Sequence, residues 1–220
     1  MNLSMILLYG VKKELLKIHK GGYMVVSSNQ IRNSVLAKGY EWFKGDGVLN
    51  IVGVRNSDVG NVVTNLFDDI MTLCYIAGGN LDFYAWPCTT DPGAKGVKEF
   101  HNPGGVARLM PGQYRSAYAI GMHQGKYEAL CQVKPVRVWR DINKDMVYDE
   151  VKSESGMFGI NIHHAGYDST YVENWSEGCS VFKTMSDFDK FLGIVKKFKD
   201  KNAGFFTYTL LESKDLIKPA

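Results

Sequence analysis

Between Tyr23 and Asp141 the chain is cut into short β-branched or aromatic runs, and this punctuation constrains the fold more than any other feature. The runs are "YMVVSS", "VLNIVGVRN", "IMTLCYIA", "LDFYAW", "VARLMPG", "SAYAIGM", "YEALCQV" and "VRVWRD", separated by Gly, Pro, Asn and Asp. Such runs, recurring about every ten residues, are the pattern of an all-β sandwich or barrel. Two helical patterns bracket them. "MILLYGVKKELLKIHKG" places Leu7, Leu8, Val11, Leu15, Leu16 and Ile18 at roughly helical spacing with lysines opposite, and Gly21-Gly22 ends it. "SDFDKFLGIVKKFKD" has Ser186 as its expected N-cap, acidic residues in its first turn and lysines in its last. Phe188, Phe191, Leu192, Val195 and Phe198 form its apolar face, and "FFTYTLL" follows as a closing strand. The expectation is a mainly-β domain, sandwich or barrel, with an N-terminal helix and a late C-terminal helix. Residues 1–45 form a helical and strand extension, and 46–220 form the main domain.

Composition narrows the partners. With 26 basic and 23 acidic residues the net charge is only +3, and the lysines are dispersed. The densest cluster, "KKFKDK", reads as a solvated helix face, so no nucleic-acid partner is expected. Four cysteines at irregular spacing, without a CxxC, argue against a disulfide framework and a metal finger. Cys74, Cys88 and Cys131 sit among apolar neighbours and read as buried, inert thiols. "MNLSMILLYG" has no basic residue before its apolar run, no small-residue cleavage site, and too little length to span a bilayer. No secretory signal and no membrane insertion are expected, so a substrate outside the cytoplasm requires another delivery route.

The chemistry concentrates in "GMFGINIHHAGYDSTYVENWSEGCSVF". "GMFGINIHH" reads as a strand ending on His163 and His164, whose side chains point to opposite faces of an extended chain. Cys179 lies where the polar "WSEG" enters an apolar segment. A free thiol with an ordinary pKa near 8.5 is only about 3% thiolate at neutral pH, and a histidine within reach raises that fraction and later protonates a leaving amine. Glycine before the nucleophile permits a tight turn that brings N–H groups toward a developing oxyanion. In papain-like peptidases the cysteine precedes the histidine, and here it follows. Zinc on His123, His163, His164 and Cys179 is disfavoured, because adjacent strand histidines diverge and no HExxH is present.

A second motif, "RDINKDMVYDE", sets Asp141, Asn143, Asp145 and Asp149 at positions one, three, five and nine of a calcium loop. Met146 stands where glycine is wanted, and Lys152 where a bidentate glutamate is wanted. The first reading is a polar β-turn, with calcium as the alternative, so no metal or other cofactor is expected.

"INIHHAG…WSEGCSVF" resembles the catalytic motif of the L,D-transpeptidase (YkuD-like) family, in which a histidine precedes Ser/Thr-x-Gly-Cys. The resemblance puts the base on His163, the nucleophile on Cys179 sixteen residues later, and the oxyanion and supporting positions on Gly178 and Ser176. "TTDPG" at 89–93 echoes the family's upstream Thr-Pro-x-Gly turn. Two positions depart from the pattern. Val181 replaces an arginine associated with substrate binding, and His164-Ala165-Gly166 replaces His-Gly. Arg115, or Arg108, is the candidate to supply the missing cation. The resemblance implies that residues 46–220 are a catalytic domain of mainly-β L,D-transpeptidase fold acting on peptidoglycan stem peptides. It implies attack on the bond following the L-centre of diaminopimelate, a Cys179 thioester, and transfer of the acyl group to an amine or to water. Synthesis without a leader would suit a phage lysis or virion protein that reaches the wall by other means. The alternative is a non-enzymatic virion or cell-wall-binding protein that retains the fold.

Overall fold

The computed structural model describes residues 26–217. The amphipathic pattern between Met5 and Gly21 therefore lies outside the described residues, as does the first half of the "YMVVSS" run. The chain is mainly β, with 40% strand against 19% helix. Eleven strands are described: β1 (Asn50–Arg55), β2 (Asp69–Ala77), β3 (Asn80–Thr89), β4 (Val106–Leu109), β5 (Gly112–His123), β6 (Tyr127–Gln132), β7 (Val136–Asp141), β8 (Lys152–Gly156), β9 (Ile162–His164), β10 (Ser180–Phe182) and β11 (Phe206–Glu212). Eight close into a barrel in the order β1-β11-β5-β6-β9-β10-β3-β2, and β4-β7-β8 form a separate small sheet. Closure removes the unpaired edges that a chain of short strands would otherwise expose.

Each apolar run from "VLNIVGVRN" to "VRVWRD" lands on a strand, because short β-branched or aromatic runs bounded by turn residues are too brief for a helix and pack well on a pleated surface. The β2–β3 hairpin pairs Asp69–Ala77 with Asn80–Cys88 across Gly78-Gly79. β8 was not expected. Its sequence, "KSESG", is polar, and it is held by backbone pairing with β7 rather than by burial.

Among the described residues three α-helices accompany the sheets. α1 (Ser28–Ala37) is capped by Ser27, whose hydroxyl accepts from the Gln30 N–H, and buries Ile31 and Val35. With Val26 and Trp42 these residues cover the barrel wall at Val52, Val54, Ile70 and Leu211. α1 carries only this thin apolar stripe, so it did not stand out in sequence; at Ser28 the expected strand of "YMVVSS" gives way to it. α2 (Ala94–Lys98) is a short turn after β3. α3 (Met185–Lys197) buries the expected face against Trp86 and Phe182, with Phe182–Phe191 ring centroids 5.0 Å apart. Its N-cap is Thr184, not Ser186. The Thr184 hydroxyl accepts from the Asp187 N–H at 3.2 Å, satisfying a first-turn donor. Among the described residues no helix is long and apolar enough to cross a membrane.

Candidate active site

β9 and β10 run parallel at the centre of the site, with Val181 beside His163 and Phe182 beside His164. Registered neighbours on parallel strands face the same way, and alternate residues face opposite ways. His163 therefore shares a face with Val181 and Cys179, and His164 turns toward α3. The rings bear this out. His164 packs 5.3 Å from Phe188, whereas His163 lines a cavity of about 850 Å3 together with Gly178 and Cys179.

The turn that presents Cys179 is built by its neighbours. The buried Ser176 hydroxyl accepts from the Gly178 N–H at 3.1 Å and donates to the Cys179 carbonyl at 2.8 Å. Gly178 has φ 143°, and a Cβ there would lie 2.1 Å from the Ala107 carbonyl oxygen and 2.8 Å from Ile160 Cδ1. Only glycine fits that conformation and that gap. The "TTDPG" stretch packs against the same turn, with the Gly93 N–H donating to Ser176 O at 2.9 Å.

The Cys179 thiol is half-buried. It accepts from the Asn161 N–H and donates to Gly159 O, each at 3.4 Å. Burial pushes it up to about 11, the Asn161 N–H offsetting only part of that effect. His163 is 2% exposed. Its Nδ1 lies 2.9 Å from His164 O and 3.1 Å from Tyr127 Oη. A carbonyl only accepts, so Nδ1 carries the hydrogen and Nε2 keeps its lone pair. That Nε2 is buried without a partner. Burial, and then neighbouring His123, lower His163 to about 3. The resting pair is therefore thiol and neutral imidazole, rather than the enriched thiolate expected from a nearby histidine.

His123 reaches the cavity from β5. Its ring stacks on His163, and its Nδ1 accepts from the Asn161 side-chain amide at 3.1 Å. The sequence reading considered His123 only for a rejected zinc set, and forty residues of separation left no local signal. Asn161 was legible in principle, because it precedes His163 by two and so shares its face. Tyr127, Trp175 and Phe158 supply aromatic wall; Lys126 and Glu177 bring one charge of each sign, and His101 pairs with Glu177 at the rim.

Neither candidate arginine lines the cavity. Arg115 is exposed on β5 and lies over the Phe43 ring at 5.7 Å. Arg108 is buried and consumed by Asp91 at 2.9 Å, Glu150 at 2.7 Å and Asn61 at 3.0 Å. Lys126 is the basic side chain that does reach the cavity. Cys74 and Cys88 are buried with raised pKa values, consistent with inert thiols. In the Asp141 loop, the Asn143 amide donates to Asp145 and Asp149.

The molecule is thus a closed-barrel β protein with a cysteine and an oriented histidine in one cavity. No family model matches the chain, and neither a curated protein nor a solved structure matches it.

Proposed function

We propose that this protein is a cysteine-dependent acyl-transfer enzyme of the L,D-transpeptidase type, acting on peptidoglycan stem peptides. One observation carries the reading: His163, whose Nδ1 lies against a carbonyl and whose Nε2 is buried without a partner, lines the same cavity as Cys179. A backbone carbonyl does here what a carboxylate does in other triads, fixing the ring without adding charge.

In the reaction the Cys179 sulfur attacks the substrate carbonyl carbon as its proton passes to His163 Nε2. The tetrahedral intermediate collapses with cleavage of the C–N bond, and the imidazolium returns the proton to the departing amine. An incoming amine or water then attacks the thioester, His163 taking its proton and giving it to the leaving thiol. Because the resting thiol is un-ionised, ionisation accompanies attack rather than preceding it. The aromatic walls suit the aliphatic stem, and Lys126 suits a substrate carboxylate. The test is mass spectrometry of purified muropeptides incubated with the wild type and with Cys179→Ala. Conversion by the wild type alone supports the proposal. No conversion by the wild type, or equal conversion by both, overturns it in favour of a binding protein that retains the fold.

A further inference from the structure

The nine residues from Asp141 to Asp149 lead from β7 toward β8 and carry three aspartates at the edge of the small sheet. Among the described residues none of Asp141, Asp145 and Asp149 has a cationic partner. The lysine of the segment and the one that follows it are engaged elsewhere: Lys144 lies 4.6 Å over the Phe100 ring, and Lys152 on β8 pairs with Glu154 at 3.2 Å. Three like charges in so short a loop repel one another unless something neutralises them.

Asp141 makes the deficit acute. It is 2% exposed, and its Oδ2 is buried with no hydrogen-bond partner. Its Oδ1 receives the Asn143 N–H at a long 3.3 Å, and the Asp149 backbone N–H also points toward the carboxylate. A buried carboxylate oxygen without a donor is costly, and its natural complement is a cation.

The backbone supplies what the sequence seemed to lack. Position six of a calcium loop takes glycine because the chain turns there with positive φ. Met146 occupies that position with φ 68°, so the turn is made despite the side chain. Asp141, Asn143 and Asp145 each accept the N–H two residues on, which folds each side chain back onto the loop. Among the described residues no three acidic, imidazole or thiol side chains are already closed around one centre. In this loop the Asn143 amide stands between Asp145 and Asp149, donating to them at 3.2 and 3.0 Å.

We infer that this loop binds a calcium ion, with Asp141 Oδ2, Asn143, Asp145, the Val147 carbonyl and Asp149 as ligands. The ion displaces the Asn143 NH2 from between the carboxylates and gives the orphaned oxygen its partner. Three carboxylates, one amide and one carbonyl leave room for water, matching the six to eight oxygens calcium accepts. Magnesium, which needs a tighter octahedron and sheds water reluctantly, fits less well. Without a bidentate glutamate, the affinity belongs at the low end for calcium loops, Kd on the order of 0.1–1 mM.

The loop also touches what supports the active-site turn. Tyr148 donates to Pro92 O, Glu150 holds Arg108, and neighbouring Ala107 donates its N–H to Glu177 O. The calcium inference stands on the loop alone and does not depend on the proposed acyl transfer.

The experiment is calorimetric titration of the chelator-treated full chain with calcium chloride, alongside thermal unfolding. One ion should bind, and the midpoint should rise by roughly 3–6 °C at ten times Kd. Asp145→Asn, at an exposed position, and Asp149→Asn should each fold and lose most of that rise. No binding by the wild type, an equal rise with magnesium, or an undiminished rise in both variants overturns the inference.

Discussion

The imidazoles of His123 and His163 lie stacked, with centroids 4.0 Å apart and planes 22° from parallel. Two cations at that separation would repel strongly in a buried site, so the stack favours two neutral rings. The hydrogen bonds agree. His123 accepts at Nδ1 from Asn161, and His163 donates at Nδ1 to a carbonyl. The arrangement keeps His163 neutral at rest.

The two adjacent histidines should behave differently on substitution. His163→Ala should lower acyl transfer by a factor on the order of a hundred or more, the usual contribution of a positioned base. His164→Ala removes packing on Phe188 but leaves the His164 backbone carbonyl that orients His163. It should reduce stability and retain most of the chemical step. Single-turnover rates of both variants decide; a dead His164→Ala beside an active His163→Ala would place the base on the other residue.

Alkylation of Cys179 should climb steeply with pH. With the thiol pushed up to about 11, the thiolate fraction increases about tenfold per unit between pH 7 and pH 10. His163→Ala should shift this profile little, because the neighbouring imidazole is neutral. Iodoacetamide rates followed by peptide mass spectrometry test the point. A plateau below pH 8 that disappears in His163→Ala would reveal a thiolate–imidazolium pair instead.

Stability should carry the imprint of the buried imidazole. His163 titrates at about 3 when folded, against an ordinary 6.5, so the folded state resists its protonation. Its contribution is fully present above pH 6.5 and is lost as pH falls toward 3, by roughly 3–5 kcal/mol. Asp68 and Asp69, raised chiefly by burial to about 6 and about 7, pull the other way, losing stability as pH rises. The measurement is therefore the difference between wild type and His163→Asn in urea unfolding from pH 7 to pH 4. That difference should move against the wild type as pH falls, and a flat difference would contradict a buried neutral ring.

Glycines at two places should respond in opposite directions. Gly178→Ala drives a Cβ into the Ala107 carbonyl at positive φ and should cost at least ~2 kcal/mol. Gly193→Ala in α3 meets nothing within 4 Å and should stabilise by roughly 0.5–1 kcal/mol. Chemical denaturation of the two variants checks both signs.

The residues alone determined where most strands lie, because period-two apolar runs between turn residues have few other ways to be buried. They also determined the apolar face of α3 and the opposed directions of His163 and His164, since both follow from local backbone geometry. Ser176 and Gly178 were legible as partners of Cys179 because they lie within three residues of it. Tertiary structure decided the rest. Barrel closure, with β1 beside β11 and β9 beside β10, depends on pairings between distant segments that no local pattern encodes. The stacking of His123 on His163, the absence of both arginines from the cavity and the solitary Asp141 oxygen depend on the same long-range pairings. So does the un-ionised state of Cys179, because a pKa is set by what surrounds a group in space, and the hydrogen-bonding neighbours of that thiol come from the loop before β9.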